Sequence, residues 1–207
     1  MNERKTISFT SLNDIDTLML EGNDRLALTT ESFMLNDQLS AIHQPVLMED
    51  IMIVFLREGE LILRINLETH TVKARNAVVL MPDSVIEIES WRGSVHVDFL
   101  FFKMDAITGM QSFGQIMEHA EQILANPVLT LSEDAYKELN YLRNQLLKKN
   151  DPPQAFQSEI NRYLLYVFCL KMLQIMYENP LHESEPKTES NDLKLYRAFF
   201  FTPYKTS

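Results

Sequence analysis

The sequence predicts a mainly β protein with α: an antiparallel β-barrel or sandwich in the front half, followed by a helical hairpin. Three observations predict it. From Lys5 to about Lys103, short runs rich in Val, Ile, Leu and Phe follow one another at close intervals with a period of two, the pattern of antiparallel strands rather than strands alternating with helices. After Met104 apolar residues recur at helical spacing. Prolines and polar runs then break the back half, dividing the chain at about residues 1–104, 105–179 and 180–207.

The strand candidates are "TISFT", "RLALTT", "IMIVFLRE", "ELILRINL", "TVKA", "AVVLM", "VIEIES" and "SVHVDFLFF". Glu58-Gly59 interrupts two apolar runs and reads as the clearest hairpin, because Gly59 can take the positive φ of a tight turn. Further reversals are expected at "NLETHTVKA" and at Gly93 in "WRGSV", which makes a meander. In the back half "DAITGMQSFGQIMEHAEQILANP" is expected to be part helical, ending at Pro127. Ser132 then reads as an N-cap, with Glu133 and Asp134 in the first turn and Lys148 and Lys149 in the last, as the helix dipole favours. Ala135, Leu139, Leu142 and Leu146 repeat at four, three and four and make one apolar stripe. Asp151-Pro152-Pro153 breaks that helix.

A second helix is expected from about Pro153 to Glu178, with Phe156, Ile160, Tyr163, Leu164, Val167, Leu170 and either Met172 or Leu173 inward. It is apolar almost all round between Tyr163 and Tyr177, so it needs more than one neighbour. Residues 179–192, with two prolines and no periodicity, read as a linker, and the last 15 residues as a short helix or tail.

Net charge is −10 and both halves are acidic, so no summed positive potential draws this chain to a phosphate backbone. Cys169, the only cysteine, excludes an internal disulfide and fits a reducing, cytoplasmic compartment; within "YLLYVFCLKMLQIMY" it reads as a small buried residue. The start "MNERKTISF" has no apolar core behind it and reads as no signal peptide. The most apolar run contains Lys171 and Gln174 and is too short to cross a bilayer.

A metal site would need several imidazoles and a carboxylate converging on one point. Of the five histidines, His182 falls in the linker, His119 on a helix and His70 at an expected hairpin tip. In "SVHVDFLFF", His96 and Asp98 share one strand face, and with His43 they could make a facial triad; the plainer reading is a solvated outer face. Glu87 and Glu89 are likewise an exposed acidic strand face before they are an acid–base pair. With five glycines there is no phosphate-binding loop, no Rossmann pattern and no G-x-S-x-G elbow.

"IMIVFLREGELILRINLETHTVKARNAVVLMPDSVIEI" and "EINRYLLYVFCLKMLQIMYEN" resemble the sensor part of AraC-type bacterial transcription regulators, a cupin-like (jelly-roll type) barrel followed by a helical hairpin. Gly59 matches the glycine between the first long barrel strands, and Pro82 the proline closing "V-L-M-P". The resemblance covers roughly residues 25–180. Two departures accompany it: Ser84, Val85 and Ile86 stand where many cupins place a histidine, and no His-x-His pair precedes Gly59.

The resemblance implies a ligand-sensing and dimerisation domain that is not an enzyme and holds no cofactor or metal. A small-molecule effector would meet the barrel interior, for which Met52, Val54, Leu56, Leu61, Leu63, Val79, Met81, Ile86 and Ile88 are the candidates. Tyr163, Tyr166, Val167, Leu170, Gln174 and Tyr177 on the long helix are the candidates for pairing with a second copy, since that helix supports dimerisation in the family. Regulators of this kind continue into two helix-turn-helix units. Here the linker is followed by "LKLYRAFFFTPYKTS", so direct DNA binding by this chain is not expected. The alternatives are a small metal-dependent cupin enzyme using His96, Asp98 and His43, and an interaction module that acts by heterodimerisation.

Overall fold

The computed structural model describes residues 28–35, 45–118, 120–146 and 155–178. The strand expected at "TISFT", residues Lys148, Lys149 and Asp151 to Pro153, the linker and the C-terminal tail lie outside them.

Seven strands form one antiparallel sheet: β1 (Leu28–Leu35), β2 (Val46–Leu47), β3 (Ile51–Ile65), β4 (Glu68–Lys73), β5 (Asn76–Leu80), β6 (Val85–Phe102) and β7 (Val128–Thr130). The main path of pairing is β1-β6-β3-β5-β7, with β2 on β6 and β4 on β3. Most neighbours are therefore not consecutive in sequence, and the expected meander is replaced by long crossings of the jelly-roll kind. The mainly β, cupin-like architecture with an appended helical layer is the fold class that the sequence predicts.

Gly59 and Gly93 do not reverse the chain. β3 and β6 run straight through them as strands of 15 and 18 residues. Both glycines have positive φ, 86° and 73°, and the β3–β6 register shifts beside them. A β-bulge uses the same left-handed backbone as a tight turn, which is why the local sequence resembles a hairpin. Across the bulges the parity changes. Met52, Val54 and Leu56 share a face with Leu61, Leu63 and Ile65, an odd separation that only inserted residues permit.

The true reversals are built on positive-φ residues, and asparagine side chains pin two of them. Asn66 and Leu67 turn β3 into β4, and the Asn66 Oδ1 accepts the Val85 amide at 2.8 Å. Arg75 turns β4 into β5, where Asn76 Oδ1 accepts the Lys73 amide at 2.7 Å and Asn76 Nδ2 donates to Thr130 Oγ1 at 3.0 Å. After Pro82, Asp83 (φ 66°) closes the turn into β6, its amide donating to the Met48 carbonyl at 2.8 Å.

The back half holds a 3-10 turn at Met104–Ala106, then α1 (Phe113–Glu118), α2 (Ala120–Ala125), α3 (Glu133–Leu146) and α4 (Gln157–Glu178). Ser132 caps α3, its Oγ accepting the Ala135 amide at 3.1 Å. Leu139, Leu142 and Leu146 are buried as the stripe predicts. β7 interrupts the helices and is not foreseen in the sequence, being only three residues long.

Two apolar clusters result. One lies between the sheet and the helices, where Ile53, Phe55, Leu100 and Phe102 meet Leu139, Leu165, Phe168 and Met172. Phe55 packs edge-on to Tyr136 of α3 and to Phe168 of α4, with ring centroids 6.5 and 6.1 Å away. The other lies on the opposite face, where Met48, Leu56, Leu63, Val72, Leu80, Val95 and Phe101 bury one another as the sheet curls on itself. Each fully buried Leu or Phe contributes about 1.5–3 kcal/mol relative to exposure, so both faces hold the fold together.

Candidate functional site

Strand parity sorts the nine interior candidates. Met52, Val54, Leu56, Leu61, Leu63, Ile86 and Ile88 belong to the cluster inside the curled sheet. Val79 and Met81 do not: on β5 and just past it, Val78 and Leu80 point to that interior while Val79 and Met81 face the helices. The sequence run "AVVLM" is apolar at every position, so alternation could not tell its two faces apart.

His96 and Asp98 share a strand face but not an environment. His96 is part-exposed and its Nδ1 lies 3.0 Å from Glu58 Oε2 across the ladder. Asp98 is completely buried beneath α3, where its Oδ2 lies 3.1 Å from Nη2 of the buried Arg143 and 3.5 Å from Nε of Arg57 at the rim. The expected solvated face is thus half wrong. The strand outlasts its own exposure, because α3 covers one end of β6 and leaves the other in water. Tyr136 stands at the same contact, and burial, followed by the Asp98 charge, pushes its phenol above the usual tyrosine range.

Arg143 was not foreseen; the signal for it is its place four residues after Leu139 on the buried side of α3. His70, expected at a hairpin tip, sits inside β4 opposite Leu63. Arg64 bridges both Glu87 and Glu89, so those carboxylates form an ion-paired outer face. His43, His119 and His182 lie outside the described residues. Among the described residues no group of three His, Cys, Asp or Glu side chains converges as a metal site.

The long helix α4 carries two apolar faces. Leu165, Phe168, Cys169, Met172, Leu173, Ile175 and Met176 pack into the core, and Asn161 is buried with them, its Oδ1 accepting from Gln157 Nε2 at 2.9 Å. Of the residues expected inward, Leu164 and the alternatives Met172 and Leu173 do meet the core. Phe156, Ile160, Tyr163, Val167 and Leu170 do not; they are exposed, at 76, 47, 58, 42 and 45%. A helix apolar all round gives no periodic clue to which stripe meets the sheet, and the wider one does.

The exposed positions are spaced 4, 3, 4, 3, 4 and 3 through Phe156, Ile160, Tyr163, Val167, Leu170, Gln174 and Tyr177. From Ile160 onward that is a/d spacing, with β-branched Ile160 and Val167 and polar Gln174 at a, and Tyr163, Leu170 and Tyr177 at d; Phe156, with φ 64°, lies just before the helix. Five of the six pairing candidates lie on this seam, and Ile160 extends it. Tyr166, the sixth, is half-buried beside it, packing edge-on to Tyr163 at 6.2 Å. Its hydroxyl lies so close over Gly109 that a Cβ there would come within 2.9 Å. An open groove of about 770 Å³ runs alongside, between Tyr163, Tyr166 and Leu170 on one wall and Gly109 to Glu118 on the other.

Cys169 is buried on the core side, and burial pushes its thiol up to about 12. No helix among the described residues is long and apolar enough to cross a membrane.

No family model matches the sequence, and no curated protein matches it. Solved structures are similar in shape. One is ToxT from Vibrio cholerae O395 bound to (E)-4-(8-methylnaphthalen-1-yl)but-3-enoic acid, with a TM-score of 0.44 and 10% identity over 73% of this chain and 57% of that one. Another is unsaturated fatty acid bound wild-type ToxT from Vibrio cholerae, with a TM-score of 0.42 and 13% identity over 77% and 57%. A third is a putative ethanolamine utilization protein from Salmonella typhimurium, with a TM-score of 0.28 and 19% identity over 45% and 63%. The chain thus spans less than three fifths of the length of these ToxT structures.

Proposed function

We propose that this chain is the sensing and dimerisation part of an AraC-type transcription regulator, recognising a small molecule and a second copy of itself rather than catalysing a reaction. The single observation that carries the reading is the exposed a/d seam on α4. Soluble surfaces scatter large apolar residues singly; a stripe of them at coiled-coil spacing is what a partner helix covers. β-branched residues at a with Leu170 at d favour two strands, and Gln174 at an a position favours one register. The partner is therefore a second α4.

The opposite side of α4 is fixed to the sheet through Phe168, Met172 and Met176, so any change in that packing is felt at the seam. An effector that binds one arrangement of sheet and helix better than the other would shift the pairing of two copies. Contact with DNA is not assigned to this chain, whose charge of −10 repels phosphates.

Sedimentation equilibrium tests the reading. The purified chain is expected to be a dimer, and Val167→Glu, which puts a carboxylate in the centre of the seam, a folded monomer. A monomeric parent chain, or a dimer unaffected by Val167→Glu, would refute it.

A further inference from the structure

Behind the seam, between the sheet and α4, lies a half-open cavity of about 50 Å³ whose walls are almost wholly apolar. Phe102 and Met81 close it from the sheet, Ile116 from α1, and Cys169, Met172 and Met176 from α4, and all six are buried. Water needs two to four polar partners to enter such a space and finds none on these walls. A carboxylate or ammonium would lose its hydration without a counter-charge, because no charged side chain lines the cavity. At about 50 Å³ the resting cavity is smaller than a five-carbon chain, so a ligand enters only as the three unbranched methionines of the walls swing aside.

We infer that this cavity is the effector site, and that its ligand is a small, uncharged, apolar molecule such as a short aliphatic chain. Of the nine candidates read from strand pattern, Val79 and Met81 line it. The other seven pack on the far face of the sheet. Cys169, Met172, Leu173 and Met176 occupy the same turns of α4 as Leu170, Gln174 and Tyr177 of the seam. A ligand that parts α4 from the sheet therefore moves the pairing surface directly. That consequence rests on the proposed dimer; the binding does not.

The test uses n-pentane as probe and the methyl resonances of ¹³C-methyl-methionine protein as readout. Saturable shifts of the Met81, Met172 and Met176 signals are expected, with pentanoate at least about tenfold weaker because its charge stays unpaired. Cys169→Leu, which fills the cavity from the helix, is expected to abolish the shifts. Val79→Ile fills it from the sheet with one methyl group and is expected to weaken them should Cys169→Leu not fold. The monomeric Val167→Glu chain is expected still to give saturable shifts, at an affinity displaced by the same factor by which n-pentane changes self-association of the parent, which separates the site from the dimer. Absence of saturable shifts in the parent, shifts unchanged in both filled variants, or equal binding of pentanoate would overturn the assignment.

Discussion

Asp98 of β6 and Arg143 of α3 hold opposite charges 3.1 Å apart with both side chains shielded from water. It is an ion pair by distance rather than an aligned hydrogen bond, and the Arg143 Nε and Nη1 find no hydrogen-bond partner among the described residues. Such a pair fixes where α3 lies on the sheet more than it stabilises the fold, since desolvation of two charges offsets most of their attraction.

Removing one partner is a different matter from removing both. Asp98→Leu leaves the Arg143 charge buried against the neutral Asn144 Oδ1 at 3.2 Å in place of its carboxylate, and is expected to destabilise the chain by about 3–5 kcal/mol. Arg143→Met is expected to cost a similar amount. The double variant should recover most of the loss, so that urea unfolding of the four proteins gives a coupling of several kcal/mol. Additive effects would show that the charges do not interact.

The two bulge glycines separate backbone strain from crowding. Both have positive φ, but a Cβ on Gly59 would lie 2.6 Å from the Ser94 carbonyl oxygen and from Val95 Cγ2, whereas a Cβ on Gly93 meets nothing. Gly93→Ala is expected to cost about 1 kcal/mol, the strain alone, and Gly59→Ala at least twice that. Chemical denaturation of the two variants checks the order, which reverses only if the ribbon does not kink at Gly59.

These positions show where the sequence is legible. The fold class, the capped helix α3 and the buried side of that helix follow from periods and caps, which are local signals. The Gly59 bulge was not separable from a hairpin because both need the same φ, and only the register across β6 distinguishes them. The buried Asp98 is unreadable in the sequence because its partner Arg143 arrives from a helix that begins 35 residues later. On α4 the seam positions other than Gln174 are visible as apolar residues, but their exposure depends on which of two stripes the sheet accepts. That is a tertiary choice, made by Phe55 and Phe102 and not by the helix itself.

Alkaline pH offers a separate check of the core. The Cys169 thiol is pushed from about 9 to about 12 by burial, so the native chain keeps its proton where the unfolded chain has lost it. Stability from this group is whole below pH 9 and falls as pH rises toward 12, by on the order of 1 kcal/mol per pH unit. Tyr136, also raised, adds to the loss above pH 10. Cys169→Val is expected to flatten the decline between pH 9 and 10 in a series of urea titrations, and the native thiol to resist a disulfide reagent at pH 8. A slope unchanged by Cys169→Val would mean that the thiol is open to solvent.

Gln174 is the polar interruption of the seam. Its Nε2 donates to Glu178 Oε1 at 2.6 Å along the same helix, so the amide is already occupied on one side when a second helix arrives. A polar residue at an a position weakens a coiled coil while rejecting shifted registers and higher oligomers. Gln174→Leu is therefore expected to tighten self-association about tenfold, equivalent to 1.4 kcal/mol, and to admit trimers or tetramers at high concentration. Sedimentation velocity across a concentration series reads both effects at once. Weaker association in Gln174→Leu would place Gln174 among the contacts that hold the pair together, and a single dimeric species at all concentrations would place register control elsewhere on α4.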